Sequence, residues 1–535
     1  MRISSILFSL CFAFFLFQAK AQNHQQRFES LDVQHYRFEI TINDDNNRIA
    51  GNTNILLHFL KKTNEIQLDL DAFDPSSGKG MKVEKVFANS AEAKFIQTKK
   101  QLLINSGKEI NVGETLELTI EYSGVPADGL IIDQNRYGDR TFFGDNWPNR
   151  AHYWLPVVDH PSDKATLEFV VKAPGHYKVV SSGKLVEEKG LDNHQILTHW
   201  EEKVPLSTKV MVFGAADFAV GNDTVWNQIP VNSWVFKENR EKGFRNYRYG
   251  TKALEYFSAL IGPYSYEKLA HVQSKTRYGG MENAGCIFYN ENSAISDKSQ
   301  EDLFAHEVAH QWFGNSATEE NWHHVWLSEG FATYLTHVYN QHFYGEEMFR
   351  NGLKKDRARV IGYFHRHPAP IIDTTVTEYI QLLNANSYQK ASWFLHMLRH
   401  KLGDDVFFAG LRNYYCEYQN KTALTSDYRK VMEETSGENL ESFFAQWLRQ
   451  AGHPLIDWNW QQTSDKTIEI NIKQTQKQAL FSFPLELKLY YENGGFATFR
   501  IDVSDSTTQQ VLQVSGNVRD IELDPEVKLL FEVAN

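Results

Sequence analysis

Cysteine is almost missing from this chain: three in 535 residues, one of which, Cys11, falls in an apolar stretch at the amino terminus. The other two, Cys286 and Cys416, stand far apart, and no C-x-x-C occurs. A disulfide-built scaffold and a cysteine metal site are therefore excluded. One disulfide is the most these residues can form, and two free, buried thiols are the expectation. Basic patches interleaved with aromatics are lacking too. The formal charge is -12, and removing residues 1–21, which hold Arg2 and Lys20, leaves -14. That balance disfavours nucleic acid and anionic membrane as partners. Low-complexity runs, internal repeats and any helical repeat array are absent.

Long apolar runs are scarce as well. Residues 6–17 are apolar but fall short of the roughly 20 needed to span a membrane. With Arg2 before them and Ala19-Lys20-Ala21 after them, they read as a secretory signal ending before Gln22. Cys11 lies inside the run rather than at its end, which argues against a lipid anchor. A secreted or periplasmic protein without a membrane anchor is expected.

What remains is 42% hydrophobic and 13% aromatic, enough for several domains with real cores. Alternation of apolar and polar residues marks strands at 38–42, 55–59, 66–70, 115–122, 167–171, 177–181 and 209–213. Turn signals such as Pro75-Ser76-Ser77-Gly78 and Ala173-Pro174-Gly175 separate them. Two aromatic stretches, 141–147 and 152–156, could plug a core or face a neighbouring domain. The period changes after Trp234. Helices are expected at 239–257, 303–313, 329–343, 389–402, 405–418, 425–435 and 440–450, with a short strand at 268–272. After Ala451-Gly452-His453-Pro454 the period returns to two, at 467–472, 485–491, 497–503 and 510–514. The expected fold is multidomain α+β: a signal at 1–21, an all-β domain at 22–229, a mostly helical domain at 230–454 and a β-sandwich at 455–535.

The densest chemistry lies in EDLFAHEVAHQWFGNSATEENWHHVWLSEGFATY, residues 301–334. On a helix His306 and His310 lie one turn apart on one face, with Glu307 about 100° round. Two imidazoles and a carboxylate, with one position left for water, suit a catalytic zinc ion. Glu329 is the candidate third ligand, near the start of a second helix that residues 314–325 can bring alongside the first. A buried helix whose histidines only hydrogen-bond is the bland alternative.

Three further motifs stand in order along the chain. Gly280-Met281-Glu282-Asn283 precedes the zinc helix, Ser387-Tyr388-Gln389-Lys390 follows it, and Leu155-Pro156 through Lys164-Ala165-Thr166 lies in the β domain. Together they resemble the zinc aminopeptidase family of aminopeptidase N and the leukotriene-type aminopeptidase/epoxide hydrolase, the gluzincin metallopeptidases. The resemblance covers nearly the whole mature chain. It implies an N-terminal β saddle, a thermolysin-like catalytic domain and a β-sandwich, without the helical solenoid many members add. It assigns His306, His310 and Glu329 to one Zn²⁺ and Glu307 to the general base. Tyr388 would stabilise the oxyanion with the metal. Glu282 would hold the substrate's α-ammonium, while Gly279, Gly280 and Met281 line a strand edge along which substrate backbone can bond.

Some positions depart from the family pattern. Val157 stands where cysteine is common, Ser328 where asparagine is usual, Ala391 for glycine and His324 for aspartate. Thr336 replaces a glutamate that in the family supports a zinc histidine, a change that bears on ligand basicity. All metal ligands and Glu307 are kept. The reading is a monomeric zinc aminopeptidase acting on peptides with a free N-terminus. Epoxide hydrolysis on the same zinc site and a lapsed peptide-binding protein are the alternatives.

Overall fold

Alternation in the N-terminal sequence becomes a twisted sheet in the computed structural model, which describes residues 29–534; the proposed signal at 1–21 lies outside them. Leu31–Thr41 buries Val33, Tyr36, Phe38 and Ile40. It pairs antiparallel with Ile49–Phe59 and parallel with Lys164–Pro174. That register sets Phe38 opposite Phe169, ring centroids 5.2 Å apart. These strands form the middle of an eight-stranded sheet.

Close contacts divide the chain into two units. The first takes in the described residues up to Thr251, with Ser265–Leu303 and Asn420–Thr422. Beside the large sheet it holds a five-stranded sheet in the order Phe218–Trp226, Ile229–Phe236, Leu269–Ser274, Cys286–Asn290, Gly280–Met281. Both aromatic stretches resolve as core: Phe142, Phe143, Trp147, Trp154 and Leu155 are buried. Phe143 packs edge-on to Phe288, at 5.4 Å.

Residues 209–213, expected as a strand, do not form one. Thr208–Val210 is a 3-10 turn and the strand starts only at Phe213. The Asn146 amide donates to the carbonyls of both Thr208 and Met211, at 3.0 and 2.7 Å, drawing the chain into that turn. No local pattern announces a partner 62 residues away.

The remaining helices are numbered from the first. They are α1 (Arg240–Tyr247), α2 (Tyr249–Leu260), α3 (Glu301–Ala309), α4 (Trp326–Tyr344), α5 (Glu346–Phe364), α6 (Ala391–Leu402), α7 (Asp404–Tyr418), α8 (Thr425–Ser436) and α9 (Glu441–Phe444). The second unit, Lys252–Tyr264, Phe304–Gln419 and Ala423 onward, contains most of them. It ends in a four-stranded and a three-stranded sheet. Helix α5 was not expected. It buries only Phe349, Leu353 and Val360 in nineteen residues, too thin a stripe to read as periodic.

Both thiols are free, but only Cys286 is buried; Cys416 points outward from α7, against expectation. No helix among the described residues is long and apolar enough to cross a membrane.

Candidate active site

Helix α3 is shorter than the expected 303–313 and stops at Ala309. Gly314, at φ +122°, turns the chain, and the Asn315 N–H returns to the His310 carbonyl at 3.0 Å. A Cβ on Gly314 would meet the Ser328 hydroxyl at 2.3 Å, so the close approach requires glycine. His310 stays on the last helical turn because its N–H donates to the His306 carbonyl, at 3.3 Å. The two imidazoles therefore share a face.

The chain then crosses to α4. The Asn321 side chain accepts the His323 N–H at 3.0 Å and caps a short 3-10 turn, Trp322–His324, ahead of that helix. Glu329 falls in the first turn of α4, where a carboxylate is favoured by the helix dipole. Helix α4 ends at Gly345, φ +85°.

Three ligand atoms converge. Nε2 of His306 and Nε2 of His310 are 3.2 Å apart, and Glu329 Oε2 lies 3.5 and 3.3 Å from them. Zinc held tetrahedrally by bonds of about 2.0–2.1 Å spaces its ligand atoms by about 3.3–3.4 Å. The triangle matches that spacing. Glu329 is buried, with Oε2 turned toward both imidazoles, where a carboxylate ligand of a shared metal would stand. Burial alone would raise the Glu329 pKa, but His310 and His306 outweigh it and hold the carboxyl well below the usual range. The residues present fit one zinc ion.

The other ring nitrogen of His310 is also placed. Nδ1 lies 3.2 Å from the Phe313 carbonyl and 3.0 Å from the Ser328 hydroxyl. A carbonyl accepts only, so Nδ1 carries the proton and Nε2 keeps its lone pair for a metal. Ser328, noted in the sequence only as a replacement, is thus a partner of a ligand. Its role could not be read from sequence, since it lies 18 positions beyond His310, past a glycine-dependent turn.

Glu307 is buried, with a carboxylate oxygen within 4.8 Å of a His310 ring nitrogen. Tyr388 is partly exposed on a π-helical turn, Asn386–Lys390, directly before α6. Its ring lies nearly parallel to that of His306, 9° between planes and 6.2 Å between centroids. Thr336 does not replace the missing family glutamate, since its hydroxyl donates to the Ala332 carbonyl of its own helix, at 2.8 Å. His324 bonds the Thr425 hydroxyl at 2.7 Å, and burial lowers its pKa to about 4.

Within the first unit, Gly280–Met281 is the edge strand of the five-stranded sheet, paired with Cys286–Asn290. Glu282 follows it and is buried, 3% exposed, as is Met281. The Asn283 N–H donates to the Met281 carbonyl at 2.9 Å, turning the chain just after the edge. A Cβ on Gly279 would touch only Leu303, at an ordinary 3.4 Å.

Comparison with known proteins agrees with this geometry. Residues 32–210 match the peptidase M1 N-terminal domain and residues 246–447 the peptidase family M1 domain. Glutamyl aminopeptidase of Sus scrofa is 24% identical over 486 residues, covering 86% of this chain and 51% of that protein. Leucyl aminopeptidase of Saccharolobus solfataricus is 24% identical, covering 80% and 56%. The chain thus spans about half the length of the curated relatives it matches. Among solved structures, the M1 zinc metallopeptidase of Deinococcus radiodurans aligns with a TM-score of 0.67 at 24% identity, covering 80% of this chain and 95% of that one. The structural likeness establishes the shared fold: N-terminal sheets, a helical middle and C-terminal strands. With both domains of the family matched in order along one sequence, and that fold around them, the chain belongs to peptidase family M1.

Proposed function

We propose that this chain is a zinc-dependent aminopeptidase that hydrolyses the first peptide bond of peptides with a free N-terminus. The observation that carries the reading is the triangle of His306, His310 and Glu329, at zinc-ligand spacing on two helices. A zinc ion held there supplies an acidified water and a Lewis acid for the scissile carbonyl. Glu307 takes the proton of the attacking water and returns one to the departing amine. The Tyr388 hydroxyl donates to the oxyanion as charge develops. Glu282 holds the substrate's α-ammonium, which restricts cleavage to the chain end, since an uncharged amide in that place makes no ion pair with the carboxylate. Gly279, Gly280 and Met281 offer a strand edge to substrate backbone.

Two lines of likeness support this reading. The relatives from Sus scrofa and Saccharolobus solfataricus are named aminopeptidases. A structural relative from Deinococcus radiodurans, at TM-score 0.67 and 24% identity, is described with the substrate Tyr-Ser-Ala bound. Retention of all three ligands and of Glu307 argues against a lapsed binding protein. Export through residues 1–21 is part of the proposal, tested by whether the mature protein begins at Gln22.

The test is zinc content by elemental analysis, with hydrolysis of paired free and N-acetylated peptides and of a lipid epoxide. One zinc per chain with hydrolysis of free-amine peptides alone is expected. Absence of zinc, or equal cleavage of the acetylated peptides, overturns the reading.

A further inference from the structure

Among the described residues two turns are π-helical: Asn386–Lys390, which carries Tyr388, and Ala445–Arg449, which continues α9. A π turn takes one more residue than an α turn and persists where surrounding contacts enforce it, often at functional sites. Here the contacts run between the two turns. Lys390, the last residue of the first, donates from Nζ to the carbonyl of Gln450, the residue after the second, at 3.2 Å. A second path joins them through residues 369–372. The Asn386 amide donates to the carbonyls of Ala369 and Pro370, at 3.1 and 3.3 Å, and the Ile372 N–H donates to the Leu448 carbonyl at 2.9 Å. The Ser387 hydroxyl closes the first turn on the Asn384 carbonyl at 3.1 Å and on the carbonyl of Leu382.

Four of the five residues of the first turn are buried; Tyr388 alone is partly exposed, and its ring lies parallel to His306. The turn is thus a braced mount with one side chain presented outward. The brace at its C-terminal end is an unusual choice. Lys390 is 2% exposed and its amine makes one hydrogen bond among the described residues, to a neutral carbonyl. Burying an ammonium this way is costly, and desolvation lowers its pKa to about 7. An apolar side chain of similar length would fill the same space without that cost, so packing alone does not account for lysine.

We propose that Lys390 is a positioning residue for Tyr388: by tying the two π-helical turns together it fixes where the Tyr388 hydroxyl stands when the oxyanion forms. The proposal rests on the aminopeptidase reading of Tyr388 given above. A residue that acts through another has a signature that a merely structural one lacks. Its loss matters only while the other is present.

The test is a double-mutant cycle of Lys390→Met and Tyr388→Phe, read as kcat and KM on a free-amine peptide. Each single variant is expected to lower kcat by roughly 10–100-fold with KM within about twofold, and to keep its zinc. In the Tyr388→Phe background, Lys390→Met should cost less than about twofold more. Calorimetry supplies a second readout. A phosphinic dipeptide analogue, tetrahedral at phosphorus, should bind Lys390→Met roughly 10–100-fold more weakly than the parent, while a product amino acid binds equally. Lys390→Gln serves the same comparison if the methionine variant does not fold. Losses that multiply in the double variant, or an unimpaired Lys390→Met, overturn the proposal alone. A parent enzyme that turns over no free-amine peptide overturns the functional reading and this proposal with it.

Discussion

The Ser328 hydroxyl lies 3.0 Å from Nδ1 of His310, the ring nitrogen opposite the one that faces Glu329. It shares that nitrogen with the Phe313 carbonyl at 3.2 Å, and the two have different weights. The carbonyl fixes the proton on Nδ1 by itself. Ser328→Ala should therefore weaken zinc binding less than about tenfold, the low end for loss of an outer hydrogen bond. Gly314→Ala should be far worse. A Cβ there strikes the Ser328 hydroxyl at 2.3 Å and His310 Nδ1 at 3.0 Å, on a backbone at φ +122°. A loss of at least ~100-fold in zinc affinity is expected, measured by competition with a chromogenic chelator. Equal losses in the two variants would mean that the ring is not oriented from this side.

How much of this could be read from residues alone depended on sequence distance. His306 and His310 are one helical turn apart, so the pattern itself fixes their common face. Glu329 required only that a second helix return, and the motif around it signalled one. The supports of the site lie further off. Gln450 is 60 residues from Lys390, and Ala369 is 17 from Asn386. No periodicity encodes such pairs. Helix α5 stayed hidden for another reason: it carries Gly352 and Gly362 and few buried side chains, so neither propensity nor pattern favoured it. Ala391 is a departure the structure does explain, at least in part. Its Cβ lies where one on Gly330 would approach to 2.5 Å, so Gly330 makes room for it.

Glu307→Gln preserves shape and hydrogen bonding but cannot accept a proton from water. The three candidate ligands are untouched, so zinc content should stay near one per chain. The value of kcat should fall by at least ~10²-fold, the scale of lost acid–base catalysis. Elemental analysis alongside kinetics checks this. Metal lost in parallel with activity would make Glu307 a structural residue or a ligand.

The buried Lys390 amine sets a pH dependence of stability. Its pKa falls from the ordinary 10.5 to about 7 on folding, through desolvation. Between those values the unfolded chain binds the proton and the native chain does not, so this group's contribution rises with pH. It is fully present above about 10.5 and lost as pH falls toward about 7. Lys390→Met deletes that dependence. Its stability relative to the parent should be more favourable at about pH 6 than at about pH 9, by roughly 2.5 kcal/mol, in urea unfolding at both values. A difference that did not change with pH would mean that the lysine is solvated or paired in solution.

The proposed exopeptidase action rests on Glu282. The zinc-ligand triangle and Glu307 would serve an internal peptide bond equally well, so nothing in them selects a chain end. Glu282 is 3% exposed and follows the edge strand Gly280–Met281, where a substrate backbone can align. If it pairs with the α-ammonium, the contact is a charge-assisted hydrogen bond that also places the first peptide bond for attack. Glu282→Ala should then lower kcat/KM for a free-amine peptide by about 10²–10⁴-fold without loss of zinc. An N-acetylated form of the same peptide should be a poor substrate of the parent enzyme. Its rate should change little on mutation, because it never offered an ammonium to the carboxylate. Enzyme residue and substrate group thus form a cycle that separates their coupling from general damage. Equal losses on the two peptides would make Glu282 structural. A parent enzyme that cleaved acetylated or internal bonds as fast as free N-termini would be an endopeptidase, and Glu282 would not select the chain end.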